Sequence, residues 1–327
     1  MKKIISLSLL TVTALTQTAF AAEFPIKDKP VTIVVPFAAG GPTDRVARDL
    51  AEAMRKPLGT TVVVENVAGA GGTIAANKVA KASQDGHTVL LHHIGMATSP
   101  ALYRKLPYNT LEDFEYLGMV NEVPMTLIGR PTLPANNFKE LQDWIKQSKG
   151  TINLGNAGLG AASHLCGLLF QSALQIDMTT VPYKGTAPAM NDLMGGQIDL
   201  LCDQTTNTTS QIEGKTVKAF AVTTTKRLAT PALKNLPTLQ ESGLKGFEVT
   251  IWHGLYAPKG TPSDVSAKLN NAIKAALKNP EFIKKQEALG AIVVNDKRMN
   301  SAEHKKFVAD EIAKWGPIIQ AAGVYAD

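Results

Sequence analysis

Two short stretches hold the residues best suited to chemistry. In PFAAGGPTD, Pro36 to Asp44, an apolar run ends in Gly40-Gly41, and Pro42-Thr43 follow at once. In INLGNAGLGAASHL, Ile152 to Leu165, glycines again separate an apolar run from a helix-spaced one. Glycine opens backbone angles closed to other residues and lets a ligand approach the chain. Proline suits the first helical position, where its missing N–H is not needed. A helix starting there aims free N–H groups, and about half a positive charge, at whatever lies above the turn. Thr43, Asn156 and Ser163 add side-chain donors. No lysine or arginine enters the first turn before Arg45. Uncharged donors of this kind suit a carboxylate that must be held and then released.

Enzyme chemistry fits these residues less well. No stretch matches the phosphate loop G-x-x-x-x-G-K-[ST] or the nucleophile elbow G-x-S-x-G. GLGAAS is one residue from a dinucleotide fingerprint, with Ser163 in the last place. The partner acid should cap the next strand, whereas Asp177 precedes it. Ser163 and His164 are adjacent and cannot readily pair as nucleophile and base. The histidines at 87, 92, 93, 164, 253 and 304 lack metal-ligand spacing, so no metal and no cofactor is expected. Each reads as packed or surface, with His93 and His164 kept as cleft candidates. Asp203 ends the apolar run QIDLLCD, where an α/β strand presents ligand residues. There it would favour an ammonium, a hydroxyl or a water over a second carboxylate; a turn or capping role is the alternative. Phe37 and Trp252 are candidate apolar walls, with core packing as the alternative for both.

The elements that must position these residues follow from periodicity. VTIVV reads as a buried strand, and TVVVEN and HTVLLHH as the next two strands. The helix after VTIVV carries Val46, Leu50 and Met54 on one stripe. Strand–helix–strand order at this spacing implies a parallel sheet with right-handed crossovers. MTLIGR, TINLGNAG, TTVPYKG, QIDLLCD and VKAFAVTT, with helices between them, predict a second α/β lobe. The last third adds the strand FEVTIWHGLYAP and polar amphipathic helices with stripes Val265, Leu269, Ile273, Leu277 and Phe307, Ile312, Trp315. No repeat of 20 to 50 residues recurs.

Composition bounds the setting. The chain has 327 residues and a formal charge of +6. Residues 1–21 read as a secretory signal: Lys2 and Lys3, an apolar core from Ile4 to Leu15, and Ala19-Phe20-Ala21 before the cut. Its removal lowers the charge by two, a mild balance that does not suggest nucleic acid. No later segment is apolar and long enough to span a bilayer. A soluble periplasmic monomer is expected. Cys166 and Cys202 are the only cysteines; an oxidising compartment permits a bond between them, and two buried thiols are the alternative.

Together, KPVTIVVPFAAGGPTD, VVVENVAGAGGTIAANKVAKA, HTVLLHHIGMATSPALYRKLPYNTLEDFEYLG, VPYKGTAPAMNDLMGGQIDLLCD and WHGLYAPKGTP resemble the Bug family, the extracytoplasmic receptors of tripartite tricarboxylate transporters. The resemblance covers essentially the whole mature chain. It implies a periplasmic-binding-protein-like type II fold. Each of its two α/β lobes has a mainly parallel sheet flanked by helices, and a ligand cleft lies between them. The first lobe would comprise 22–122 and 250–327, and the second 123–249. It implies capture of a small organic acid without catalysis and its delivery to a membrane permease. From the first turn the resemblance carries over Ala39, Gly40, Thr43 and Asp44, with Phe37 opening it. From the second it carries Asn156, Ala157, Ala161 and Ser163, and Asp203 from the strand end. The segment QTTNTTSQ departs from the family, so Thr205 and Asn207 are read as shaping the far end of the pocket. A polar far end suits a second carboxylate, with terephthalate the favoured example over citrate-like acids and dicarboxylic amino acids. A secreted enzyme on a small acid and a ligand-presenting sensor subunit are the alternatives.

Overall fold

The computed structural model describes residues 24–148, 150–321, 323 and 325–326; the expected signal segment lies outside them. The first third runs β1 (Val31–Val35), α1 (Pro42–Leu58), β2 (Val62–Asn66), α2 (Thr73–Ala80), β3 (Thr88–His92) and α3 (Gly95–Leu102). The long β4 (Phe114–Gly129) leads into α4 (Phe138–Gln147), β5 (Asn153–Asn156), α5 (Ala162–Leu174), β6 (Thr179–Pro182) and α6 (Thr186–Met194). Then come β7 (Leu200–Gln204), α7 (Thr205–Glu213) and β8 (Lys218–Val222). The chain closes with β9 (Thr250–Pro258), α8 (Ser263–Leu277), α9 (Pro280–Ala288), β10 (Ile292–Val293) and α10 (Ser301–Ala321).

The strands form one continuous order, β2-β1-β3-β9-β4-β7-β5-β6. Three are parallel at each end: β1 with β2 and β3, and β5 with β6 and β7. The middle is antiparallel, because β4 pairs with β9 along its first part and with β7 and β8 along its last. Two α/β halves are therefore joined through β4 and β9. The expected lobe limits at 122/123 and 249/250 fall inside β4 and at the start of β9.

Burial explains the arrangement. Val46, Leu50 and Met54 of α1, Leu269 and Ile273 of α8 and Phe282 of α9 pack with Ile33, Val89, Leu91 and Leu255. Ala75, Val79, Ile94, Met96, Val308 and Trp315 pack with Val34, Leu90 and Met119 in a second core. That core continues into the second half through Leu127, Leu154, Leu165, Phe170 and Leu200. Alternate strand residues thus face different helix layers, so the strands read as nearly unbroken apolar runs. Cys166 of α5 and Cys202 of β7 form a disulfide, with Cα atoms 6.1 Å apart.

Candidate carboxylate-binding site

The two glycine turns meet. Phe37 of the first turn packs on Ala157 and Ala161 of the second as a small cluster of its own. Ala38 donates its N–H to the carbonyl of Lys184, across the seam between the halves, at 2.9 Å. Gly185, just beyond, has φ +125°, and an added Cβ would lie 2.9 Å from the Ala38 nitrogen. Only glycine permits both that backbone angle and that approach.

Between the turns lies a cavity of about 10 Å³, lined by Phe37, Pro42, Thr43, His93, Ala157, Ala162, Ser163, Thr186, Asp203 and Gln204. That space holds about one water. None of the lining residues is a lysine or an arginine. Instead, four helices begin at the cavity: α1 with Pro42 and Thr43, α5 with Ala162 and Ser163, α6 with Thr186, and α7 immediately after Gln204. None of the four has a side-chain cap. Internal bonding starts with Arg45 N–H to Gly41 in α1 and Leu165 N–H to Ala161 in α5. The N–H groups ahead of these have no helical acceptor and carry the positive end of each helix dipole.

The donors are not the ones expected. The glycine-turn amides are engaged by their own side chains. Gly40 N–H donates to Asp44 at 2.9 Å and Ala157 N–H to Ser163 Oγ at 2.7 Å. Gly158 N–H donates to Asn156 Oδ1 at 2.9 Å and Gly160 N–H to His164 Nδ1 at 3.2 Å. Asp44 also takes Arg48 Nε at 2.8 Å and Asn66 Nδ2 at 2.9 Å. Burial would raise this carboxyl, but the bonds from Arg48, Gly40 and Asn66 hold it below the usual range. Asp44 and Asn156 therefore shape the turns from behind. Ala39 and Gly40 sit on the exposed side of the first turn, and Ala161 lies behind Phe37. Asn207 reaches the site through Asp203, donating Nδ2 to Oδ2 at 2.6 Å.

Phe37, Thr43, His93, Ala157, Ser163 and Asp203 do come together at the cavity. The Phe37 ring stacks on His93, with centroids 4.7 Å apart. His93 Nδ1 accepts the Gly95 N–H at 2.9 Å. Burial lowers His93 to about 3, so it is neutral and carries its proton on Nε2 as a donor. Asp203 is pushed up to about 6 by burial, against the opposing bonds from Asn207 and the Gln204 N–H. Pro42, Ala162, Thr186 and Gln204 were not singled out as site residues. KGTAPAM carries the signal for Thr186, a third glycine before a hydroxyl residue at a helix start. The Gln204 Oε1 is buried without a hydrogen-bond partner. Trp252 lies elsewhere, packed edge-on against Phe307 and donating to Glu311 at 3.1 Å. Thr205 is buried beside Gly290. Among the described residues no cluster of His, Cys, Asp or Glu is suited to a metal.

A family model described as the tripartite tricarboxylate transporter family receptor matches residues 46–324. The chain belongs to that family. The resemblance to Bug receptors holds with it. The solved periplasmic binding protein BugD is 52% identical, with a TM-score of 0.89, over 91% of this chain and 99% of its own. MatC from Rhodopseudomonas palustris, solved with bound malate, is 37% identical at a TM-score of 0.85, over 90% and 100% of the two chains. Rpa4515 of R. palustris, solved with adipate, is 32% identical at a TM-score of 0.86, over 93% and 99%. The family and the two-lobed α/β fold are those of periplasmic solute-binding proteins.

Proposed function

We propose that this chain is a monomeric periplasmic receptor that captures a small dicarboxylate between its halves and passes it unaltered to a membrane permease. The observation that carries this reading is the convergence of four uncapped helix starts on one seam cavity without a cation. Such a site neutralises a carboxylate with fixed dipoles and neutral donors, without an ion pair. The bound malate and adipate of two relatives support a dicarboxylate. Phe37, Thr43, His93, Ala157, Ser163 and Asp203 form the contact set. Ala39, Gly40, Asp44, Asn156, Ala161 and Asn207 set its shape.

The cavity of about 10 Å³ is smaller than any such acid. Entry therefore requires lobe 1 (22–122 and 250–327) and lobe 2 (123–249) to part about β4 and β9. Ligand then stabilises the closed form by its higher affinity for it. A thermal-shift screen over malate, adipate, succinate, terephthalate, citrate and aspartate tests the proposal. Ligand at 100 times its Kd should add about 2.7 kcal/mol of stability. If no acid in the panel raises the melting temperature, the proposal fails. Conversion of a bound acid, followed by NMR, would assign the cleft to an enzyme instead.

A further inference from the structure

Behind Thr43 runs a chain of buried side chains. The Thr43 hydroxyl is 3.2 Å from His253 Nε2, and His253 Nδ1 is 2.8 Å from Asn121 Oδ1. Asn121 Nδ2 is 2.8 Å from Gln286 Oε1, and Gln286 Nε2 is 2.9 Å from Asp49 Oδ2. Thr43, His253, Asn121 and Gln286 are all buried. Asp49 is pulled up by burial and pulled back by Lys285 and Arg45.

The direction of every bond follows from the anionic end. A carboxylate only accepts, so Gln286 must turn its NH₂ to Asp49 and its oxygen to Asn121. Asn121 must then donate to Gln286 and leave its oxygen for His253. His253 must therefore carry its proton on Nδ1. Burial, with His93 nearby, lowers its pKa well below the usual value, so the ring is neutral and Nε2 is a bare acceptor. The Thr43 hydroxyl, 3.2 Å away, is then the donor to Nε2. Thr43 therefore shows lone pairs to the cavity it lines, while Ser163 keeps its own proton, because its oxygen accepts the Ala157 N–H.

We propose that the chain Asp49–Gln286–Asn121–His253 fixes Thr43 as a hydrogen-bond acceptor in the cleft, so that this receptor selects carboxylates bearing a hydroxyl beside the acid group. This rests on the carboxylate reading above and names its ligand class. An unsubstituted acid reaches Thr43 only through a water that donates to both. His253, Asn121 and Gln286 are positioning residues in this scheme and touch no ligand.

Calorimetric titration of the mature protein with malate and with succinate tests it. Malate should bind at least tenfold more tightly. Thr43→Val keeps the side-chain shape and removes the acceptor; the ratio should fall to within about twofold. Gln286→Met, remote from the cleft, frees Asn121 and His253 to reverse, and should also cut the ratio while the variant still melts cooperatively. Equal wild-type affinity for both acids overturns the proposal and leaves the carboxylate reading standing. A ratio unchanged in Thr43→Val, or in Gln286→Met, overturns the assigned polarity. Binding of neither acid, with no response in the wider acid screen, removes the proposal together with the reading beneath it.

Discussion

Gly71 lies directly against the carbonyl of Leu159: a Cβ added to the glycine would occupy the space of that oxygen. The first residue belongs to the loop before α2 and the second to the glycine turn before α5, so the contact crosses the seam. Tyr103 adds a bond from its hydroxyl to the same Leu159 oxygen at 3.0 Å, and Thr98 donates to Gly160 at 3.0 Å. On the proposed parting of the lobes, these contacts would break.

Gly71→Ala should therefore disfavour closure. The φ of +60° at this position disfavours alanine, and the clash with Leu159 adds a cost that the proposed open form would not bear. Ligand affinity should drop at least tenfold, and small-angle scattering with ligand should report a larger radius than wild type. Unchanged affinity would show that the halves close without this contact.

Ser163→Ala removes the acceptor for Ala157 N–H and the hydroxyl that faces the cavity. A lost hydrogen bond of each kind amounts to about 1 kcal/mol. Affinity should fall about fivefold, as measured by calorimetry, and the melting temperature without ligand should also drop, because the buried Ala157 N–H loses its acceptor. A wild-type Kd would mean that the helix N–H groups alone hold the ligand.

Acid should unfold the protein by way of its histidines. Burial lowers His93 and His304 to about 3 and His164 to about 4. Burial also drives His92 and His253 well below the usual value, assisted by neighbouring histidines. Between about 6.5 and those values the unfolded chain binds protons that the folded chain refuses. The histidines' contribution to stability is therefore complete above about pH 6.5 and is lost as pH falls, by about 1.4 kcal/mol per pH unit for each histidine. Melting temperature should drop steeply between pH 6.5 and 4.5. A flat profile across that window would contradict the burial of these rings.

Asp203 has the opposite sign. Its pKa is raised to about 6 from 3.8, chiefly by burial, so in that window the folded chain holds a proton that the unfolded chain has lost. Its ionisation thus destabilises the protein as pH rises towards 6, and fully above it. Asp203→Asn should raise the melting temperature at pH 7.5 and leave it nearly unchanged at pH 4. An equal effect at both pH values would place the carboxylate in a water-rich setting.

Most of the fold was legible because its signals are local. Buried parallel strands read as VTIVV and HTVLLHH, and the stripe Val46, Leu50, Met54 gave α1. The helix α7 was not read, since Thr205, Thr206, Thr208 and Thr209 are poor helix formers. Its stability comes from tertiary bonds, such as Thr126 to Thr208 at 2.7 Å and Thr209 to Leu289 at 3.2 Å. The first part of β4, from Phe114, was also unread: it is buried on both faces and shows no alternation, and its partner β9 lies more than a hundred residues away. The meeting of the two glycine turns was expected. Which amides stay free was not, because Asp44, Asn156, Ser163 and His164 consume the turn N–H groups through geometry that no motif encodes.

The Cys166–Cys202 bridge bears on selectivity. Cys166 follows Ser163 by three residues, and Cys202 immediately precedes Asp203. The bond thereby ties together the segments that carry Ser163 and Asp203, two of the cavity-lining residues of the second half. In the proposed receptor, discrimination among acids of different length or substitution would fall to the opposing jaw, where neither Thr43 nor His93 has a covalent brace.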